Sequence, residues 1–482
     1  MAEHLDNTTA IDMSLRCSDI ISRGMYHRLF PKHLEISPQL NEVYELALAF
    51  YESQVLTDDD IIQNGAYFVR VNKKYTRHFH MCTGNSVRLP SYSSTRLKSF
   101  FKSNQFRTGY ATHGLFPYRG KFHPQMIKAL INIMGLKPGD TVLDPMMGSG
   151  TVPIEACLMG IKSVGFDASP FCRFMAHTKF KALMLPRKYV RIALHNSDHI
   201  FDHFIRRIGH PVQNSRTADN SQHRTKVIEA PLFQIDCFKQ FSEISDSDQS
   251  DVYNFLLLAY LDSAGYSERS KNNVPIEQFR SILERYFFVI EKIQQVMERM
   301  ELKIEKATIL EGDARSVNLN DQSVDGILFS PPYSFAINYL ENDAFHLRVM
   351  GINTTELQEK MIGLRGRTIC QKFDLYIQDM DKVLSECARV LKPNHFCTII
   401  VGTNDNHLSK ALNVAKEDVP GLHQILIDKA SKHGFSLIRS LARRISGIAN
   451  TMRDEYIVIF QRNNIVMEKM DLAISNSTKI SD

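Results

Sequence analysis

No part of the 482-residue chain approaches the roughly 18 to 20 consecutive apolar residues that a membrane-crossing helix requires, so no membrane partner is expected. The opening Met-Ala-Glu-His-Leu-Asp has no basic region followed by an apolar run. No secretory signal is therefore predicted, and the expected location is cytoplasmic. The eight cysteines, Cys17, Cys82, Cys157, Cys172, Cys237, Cys370, Cys387 and Cys397, never form Cys-x-x-Cys. That spacing supports neither a zinc ribbon nor a thiol redox pair; the cysteines read as reduced thiols, and no metal site is expected. Acidic residues are missing altogether from Ile61 to Gly139, a stretch that holds thirteen Lys or Arg. Against a net charge of +5, this leaves the remainder of the chain at −8. Such asymmetry is what a polyanion-binding face needs, because each neutralised phosphate releases counterions.

What is present is enough apolar residue, 43%, to bury a sizeable core. The length exceeds one ordinary domain. Residues 1–110 read as an N-terminal extension, basic from 61, with a helix over 41–55 whose apolar positions include Val43, Leu46, Ala47, Ala49 and Phe50. From about 124 the pattern alternates between helix and strand. A helix is predicted over 125–134, a strand over 141–144, a helix over 152–159 and a strand over 163–167, which makes a βαβ unit. Alternation pauses over 186–300, a largely helical and polar insertion with a loop-like run at 212–226 and a charged helix at 276–300. It resumes with strands at 307–310 and 324–329, a helix over 375–391 stopped by Lys392-Pro393-Asn394, and strands at 396–401, 436–441 and 456–460. The expected fold is a doubly wound, Rossmann-like α/β sheet, formed by 111–185 and 301–462. Residues 463–482 read as a flexible tail.

Between the first strand and helix of the βαβ unit runs Asp144-Pro145-Met146-Met147-Gly148-Ser149-Gly150-Thr151. Small residues there let backbone amides at a helix N-terminus approach a ligand. The lysine of a phosphate-binding loop is missing, and so is the dinucleotide pattern Gly-x-Gly-x-x-Gly. An aspartate-led loop of this kind suits S-adenosylmethionine, with Asp144 attracting its cationic sulfonium–amino acid end. Asp167, at the end of the second strand and followed by Ala168, is placed to accept from ribose hydroxyls; Asp313, after the third, from the adenine amine. Each aspartate taken singly is as well explained as a helix cap. Their recurrence at the ends of successive strands favours the ligand.

The strand at 324–329 runs into Ser330-Pro331-Pro332-Tyr333. Consecutive prolines deny the backbone its regular hydrogen bonds and stiffen the turn. With these residues in hand, the chain resembles the amino-methyltransferases that act on cytosine N4 or adenine N6 in DNA. The tetrapeptide matches their catalytic motif, and residues 144–151 match their cofactor motif. Thr112 to Pro124, with Lys121 and Phe122, resembles the segment that packs near the methionine part of the cofactor. The resemblance covers about 110–185 and 305–462.

It implies that S-adenosylmethionine is bound by Lys121, Phe122, Asp144, Pro145, Gly148, Ser149, Gly150, Thr151, Asp167, Ala168 and Asp313. It further implies that a target amine hydrogen-bonds to the Ser330 hydroxyl and the Pro331 carbonyl, that Pro332 completes the turn, and that Tyr333 stacks on the base. Serine at the first position tilts the target toward cytosine N4 over adenine N6. Cytosine-C5 chemistry is set aside, because no Pro-Cys dipeptide exists to supply its nucleophile. The implied partner is double-stranded DNA with the target base flipped out, and a cognate restriction endonuclease would be the natural companion. Arg365, Arg367, Arg443 and Arg453 are candidate nucleic-acid contacts, and the insertion 186–300 is a candidate for target recognition. An RNA base methyltransferase and a catalytically dead nucleic-acid-binding scaffold are the other readings.

Overall fold

The computed structural model describes residues 26–37, 40, 42–82, 109–118, 120–208, 232–239, 244–269, 275–332, 339–402, 404–444 and 454–464. Tyr333, Arg453, the run at 212–226 and nearly all of the expected tail lie outside them.

Near the N-terminus, strands β1 (Leu34–Ile36), β2 (Phe68–Val71) and β3 (Lys74–Tyr75) form an antiparallel sheet. Helices α1 (Val43–Val55) and α2 (Asp58–Asn64) connect β1 to β2, and α3 (Arg77–Cys82) follows β3. The aspartates Asp58, Asp59 and Asp60 occupy the first turn of α2, where the helix dipole favours negative charge. The buried stripe of α1 is Tyr44, Glu45, Leu48, Ala49 and Glu52. Val43 and Phe50, expected on the core face, are exposed at 71% and 37%. A polar network turns the helix this way. Glu52 Oε1 accepts from the Ala66 amide (3.0 Å) and from Asn132 Nδ2 (2.6 Å), and Gln125 Nε2 donates to the Ala66 carbonyl (2.8 Å). Burial still raises the Glu52 carboxyl to about 7. Leu48, Ile61 and Phe68 share one apolar core with Met126, Ile127 and Leu130 of α4 (Pro124–Ile133). The described residues between 26 and 82 are thus packed, through α4, onto the main sheet.

After α4 come β4 (Thr141–Asp144), α5 (Thr151–Leu158), β5 (Lys162–Asp167) and α6 (Pro170–Ala182). Then follow α7 (Arg187–His195), α8 (Ser197–Ile208), α9 (Asp246–Arg269) and α10 (Pro275–Arg299). The remaining elements are β6 (Ala307–Glu311), β7 (Val324–Phe329), α11 (Tyr339–Val349), α12 (Thr354–Lys360), α13 (Ile369–Val390), β8 (Leu391–Gly402), α14 (Asp405–Leu412), α15 (Leu422–Lys432), β9 (Phe435–Arg444) and β10 (Asp454–Arg462).

The main sheet has seven strands in the order β6-β5-β4-β7-β8-β10-β9. Pairing is parallel from β6 to β8, and β10 runs antiparallel to both neighbours. Successive side chains of a strand point to opposite faces. Val142, Leu328, Ile400, Ile457 and Ile459 accordingly meet α4 and α1, while Leu143, Ile327, Phe329, Ile399, Val401, Val458 and Phe460 meet α13 and α15. Both faces are covered, as a parallel sheet requires. Strand order reverses between β4 and β7, and such a switch point opens a crevice at the carboxyl ends of the strands.

Two boundaries differ from expectation. Helix α13 begins at Ile369, not 375, because Thr368 and Gln371 form a reciprocal capping box that adds its first turns. Lys392-Pro393-Asn394 lies inside β8 as a bulge: the β7 partners Val324 and Gly326 face Leu391 and Phe396, and Asn394 takes φ 63°. The insertion, expected to be polar, buries apolar residues in a core that it shares with Phe116, Phe171, Met175 and Leu347 outside it. From Val252 to Leu261, α9 is buried all round, and Phe204, Tyr260, Phe279 and Tyr286 pack there. Among the described residues, no helix is long and apolar enough to cross a membrane.

Candidate active site

The strand-to-helix loop after β4 is shaped by its glycines. Gly148 and Gly150 have φ of +48° and +77°, a region that favours residues without a Cβ. A Cβ on Gly150 would lie 2.7 Å from Ala176 Cβ, so α5 could not pack so closely on α6. The loop is tied to the end of β5: the Gly148 amide donates to Asp167 Oδ2 (2.8 Å), and the Met147 amide donates to the Phe166 carbonyl (2.9 Å).

Beyond the ends of β4, β5 and β7 and the start of the β6–β7 loop lies a cleft of about 970 Å³, open water included. It brings together Lys121, Phe122, Pro145, Gly148, Ser149, Thr151, Asp167, Ala168, Asp313, Ser330, Pro331 and Pro332. Three segments far apart in the chain, each singled out by sequence, therefore face one space. The Ser330 hydroxyl donates to the Pro331 carbonyl at 3.3 Å. Lys121 Nζ donates to the His113 carbonyl (2.8 Å), and burial together with Arg285 lowers its ammonium to about 8.

Two expected cofactor residues stand behind the wall. Gly150 acts in helix packing, as above. Asp144 is 1% exposed and does not line the cleft; its Oδ1 accepts from the Met146 amide (3.0 Å), while Oδ2 is buried without a hydrogen-bond partner. Burial pushes its pKa well up. The expectation that Asp144 attracts a cation is therefore corrected: it shapes the loop from beneath.

Among the described residues, the carboxylates that line the cleft are Asp167, Asp313 and Asp343. Asp167 accepts from the amides of Gly148 and Ser169 (both 2.8 Å), yet burial raises it to about 6. Asp313 is held by Arg315, whose Nε and Nη2 reach it at 2.7–3.0 Å. Although its burial opposes the change, those hydrogen bonds lower its pKa. Asp343 was missed by sequence reading. It stands on α11 among Leu340 and Leu347, and burial, with the nearby charge of Asp167, lifts it to about 7. A lone acidic residue on a helix carries no spacing signal.

Beneath the loop sits a buried charged cluster. Glu155 of α5 accepts from His113 Nε2 (2.6 Å) and lies 3.5 Å from Lys128 Nζ. Burial alone would raise the Glu155 carboxyl, but Lys128 and His113 bring it down to about 2. Burial lowers His113 to about 4, so the imidazole is neutral at pH 7 and Lys128 supplies the countercharge.

The expected nucleic-acid arginines divide. Arg365 is bound to both oxygens of the buried Asp379 (2.5 and 2.6 Å), and Arg443 to Glu455 (2.7 Å) beneath the Tyr44 ring. Both are spent on internal pairs, which corrects the expectation for them. Arg367 is exposed and makes no ion pair among the described residues. Of the thirteen cations in the acid-free stretch, six lie outside the described residues. Lys128 is buried, Lys121 and Arg77 are half-buried, Arg70 stacks on Tyr75, and Lys73, Lys74 and Lys137 are at the surface.

Parts of the chain are similar to known proteins. A family model described as RMKL-like, methyltransferase domain (UPF0020) matches residues 115–204. The type II methyltransferase M.MjaII of Methanocaldococcus jannaschii is 22% identical over 386 residues, covering 61% of this chain and 72% of that protein. M.BsoBI of Geobacillus stearothermophilus, another type II methyltransferase, is 21% identical over 321 residues, or 60% of each chain. A tRNA (guanine(10)-N2)-dimethyltransferase of Methanothermobacter thermautotrophicus is 44% identical, over 52 residues only.

Fold, cleft and likeness together define an S-adenosylmethionine-dependent methyltransferase, and S-adenosylmethionine is the cofactor expected in the cleft. The residues fit it. The cleft holds carboxylates for hydroxyls, amines and cations, and Gly148 leaves backbone open toward it. Asp167→Ala is expected to weaken S-adenosylmethionine about 10- to 100-fold in calorimetry, the worth of one or two hydrogen bonds to a charged acceptor. In the native protein, affinity should decline as pH falls through about 6, because protonation of Asp167 competes with its role as acceptor. An affinity flat from pH 8 to 5 would contradict that role.

Proposed function

We propose that the protein transfers a methyl group from S-adenosylmethionine to the exocyclic N4 amine of cytosine in double-stranded DNA. The observation that carries this reading is the Ser330-Pro331-Pro332 turn at the end of β7, on the same cleft as Asp167 and the glycine loop. The lone pair of an aromatic amine is delocalised into its ring and is a poor nucleophile. Two acceptors, the Ser330 hydroxyl and the Pro331 carbonyl, would draw its protons and favour the tetrahedral geometry in which the nitrogen can attack. The cofactor, when bound, supplies the electrophilic methyl group. Asp167, Lys121 and the 145–149 loop would hold it. A target amine stacked inside a duplex is out of reach of such a cleft, so the base would enter flipped out. The two type II relatives support DNA as the substrate; a restriction–modification setting with a cognate endonuclease belongs to the same proposal. Arg367 and the insertion 186–300 are the candidates for contacting that DNA.

RNA is the second reading, favoured by the short match to the tRNA enzyme. Incubation with tritiated S-adenosylmethionine and either duplex DNA or total RNA, followed by digestion to nucleosides, separates the readings. Label in N4-methylcytosine from DNA is the expected result. Label in N6-methyladenine would keep the mechanism and discard the base; label from RNA alone would discard the substrate class.

A further inference from the structure

Helix α11 presents Leu340, Asp343 and Leu347 to the cleft. Their spacing of three and four residues puts them on one helical face. The two leucines are 8% and 0% exposed and flank the carboxyl with apolar surface; Asp343 itself is 8% exposed. Tyr118 and Cys172, joined by a thiol-to-phenol hydrogen bond of 3.4 Å, and Asp167 are the titratable groups that interact with it.

The three cleft carboxylates differ in one respect. Asp167 is taken up by two backbone amides and Asp313 by a guanidinium. Asp343 has no hydrogen bond or ion pair among the described residues. A carboxyl nine-tenths buried and unpartnered is costly, unless something that enters the cleft supplies the missing partner. With Asp144 sealed behind the loop, Asp343 is the cleft anion left for a cation.

We propose that Asp343 binds the cationic half of S-adenosylmethionine, the sulfonium and α-ammonium groups, through its carboxylate. This rests on the reading of the cleft as a cofactor site, and it assigns the cation to α11, an element that follows the catalytic turn, and away from the glycine loop. Among the described residues, the cleft's cations, Lys121 and Lys360, carry the sign that suits the cofactor's carboxylate instead.

The test uses three probes against the full-length native protein and Asp343→Asn: S-adenosylmethionine, S-adenosylhomocysteine and 5′-methylthioadenosine. The second lacks the sulfonium charge. The third lacks both cations but keeps the adenine and ribose. Calorimetry should show S-adenosylmethionine weakened tenfold or more by the substitution, with methylthioadenosine within about twofold of native. A matching loss for S-adenosylhomocysteine would identify the ammonium as the partner, and its sparing would identify the sulfonium; either supports the proposal. Without ligand, Asp343→Asn should melt at or above the native temperature, because a neutral amide replaces an unpaired buried acid.

Equal weakening of all three probes, or a lowered melting temperature with the same loss throughout, would reduce Asp343 to a structural residue. Unchanged S-adenosylmethionine affinity would remove the assignment while leaving the methyltransferase reading intact. Failure of the native protein to bind S-adenosylmethionine would remove that reading itself.

Discussion

Ser330→Ala should lower the single-turnover rate about 10²- to 10³-fold, the usual loss when one preorganised polar group at a reacting centre is removed, while the S-adenosylmethionine dissociation constant stays within about twofold. Ser330 leaves β7 at the switch point of the sheet, and the two prolines that follow hold its backbone in place. Its proton is committed to the Pro331 carbonyl, so its lone pairs remain to accept from an incoming amine. Alanine removes that acceptor and nothing that holds the cofactor. The Pro331 carbonyl persists and leaves a residue of activity. Rapid-quench turnover with tritiated cofactor, paired with calorimetry, reads the two quantities separately. Near-normal turnover, or a fall in affinity that matches the fall in rate, would show that the serine is not where the amine is held.

Glu155→Ala is expected to cost about 3–5 kcal/mol of folding stability, the range for breaking a buried ion pair from one side. The glutamate is 0% exposed, and so nearly are its partners, Lys128 at 1% and His113 at 2%. Alanine leaves an ammonium and an imidazole N–H with neither acceptor nor water. A loss of this size is a large fraction of what a typical domain has. It should appear as a lower urea midpoint with an unchanged slope.

The same cluster sets a pH dependence. His113 has a folded pKa near 4, below its unfolded value, so the unfolded chain binds the extra proton and stability falls as pH drops from about 6.5 to 4. Glu155, depressed to about 2, loses its contribution over the lower range, from about 4.5 downward. A Glu155→Ala protein as stable as native would mean that the cluster is solvated in solution.

Much of the fold was legible in local pattern. The alternation of helix and strand, the glycine loop and the proline turn are written in residues adjacent in the chain. They rest on backbone geometry: positive φ at Gly148 and Gly150, blocked amides at Pro331 and Pro332, and period-two burial along β4, β7, β8 and β10. A capping signal at Thr368 and Gln371 was also there to be read, and it moves the start of α13 by two turns. The bulge at Lys392 to Asn394 was not, because proline and asparagine read as a stop whether a strand ends there or bends.

By itself, then, the sequence determined the sheet, the glycine loop and the proline turn that border the cleft, because each depends on dihedral preferences over a few residues. Only the tertiary structure decided which charges face the cleft. Asp144 looked like the cofactor's counterion and is sealed beneath its own loop; Asp343 looked like an ordinary helix residue and opens into the site. Arg365 and Arg443 looked like hands for DNA and are closed on Asp379 and Glu455. The free energy of a charge depends on how much water remains around it and which partner lies within a few ångströms. In each of these cases the burying or pairing groups come from segments that only folding brings near.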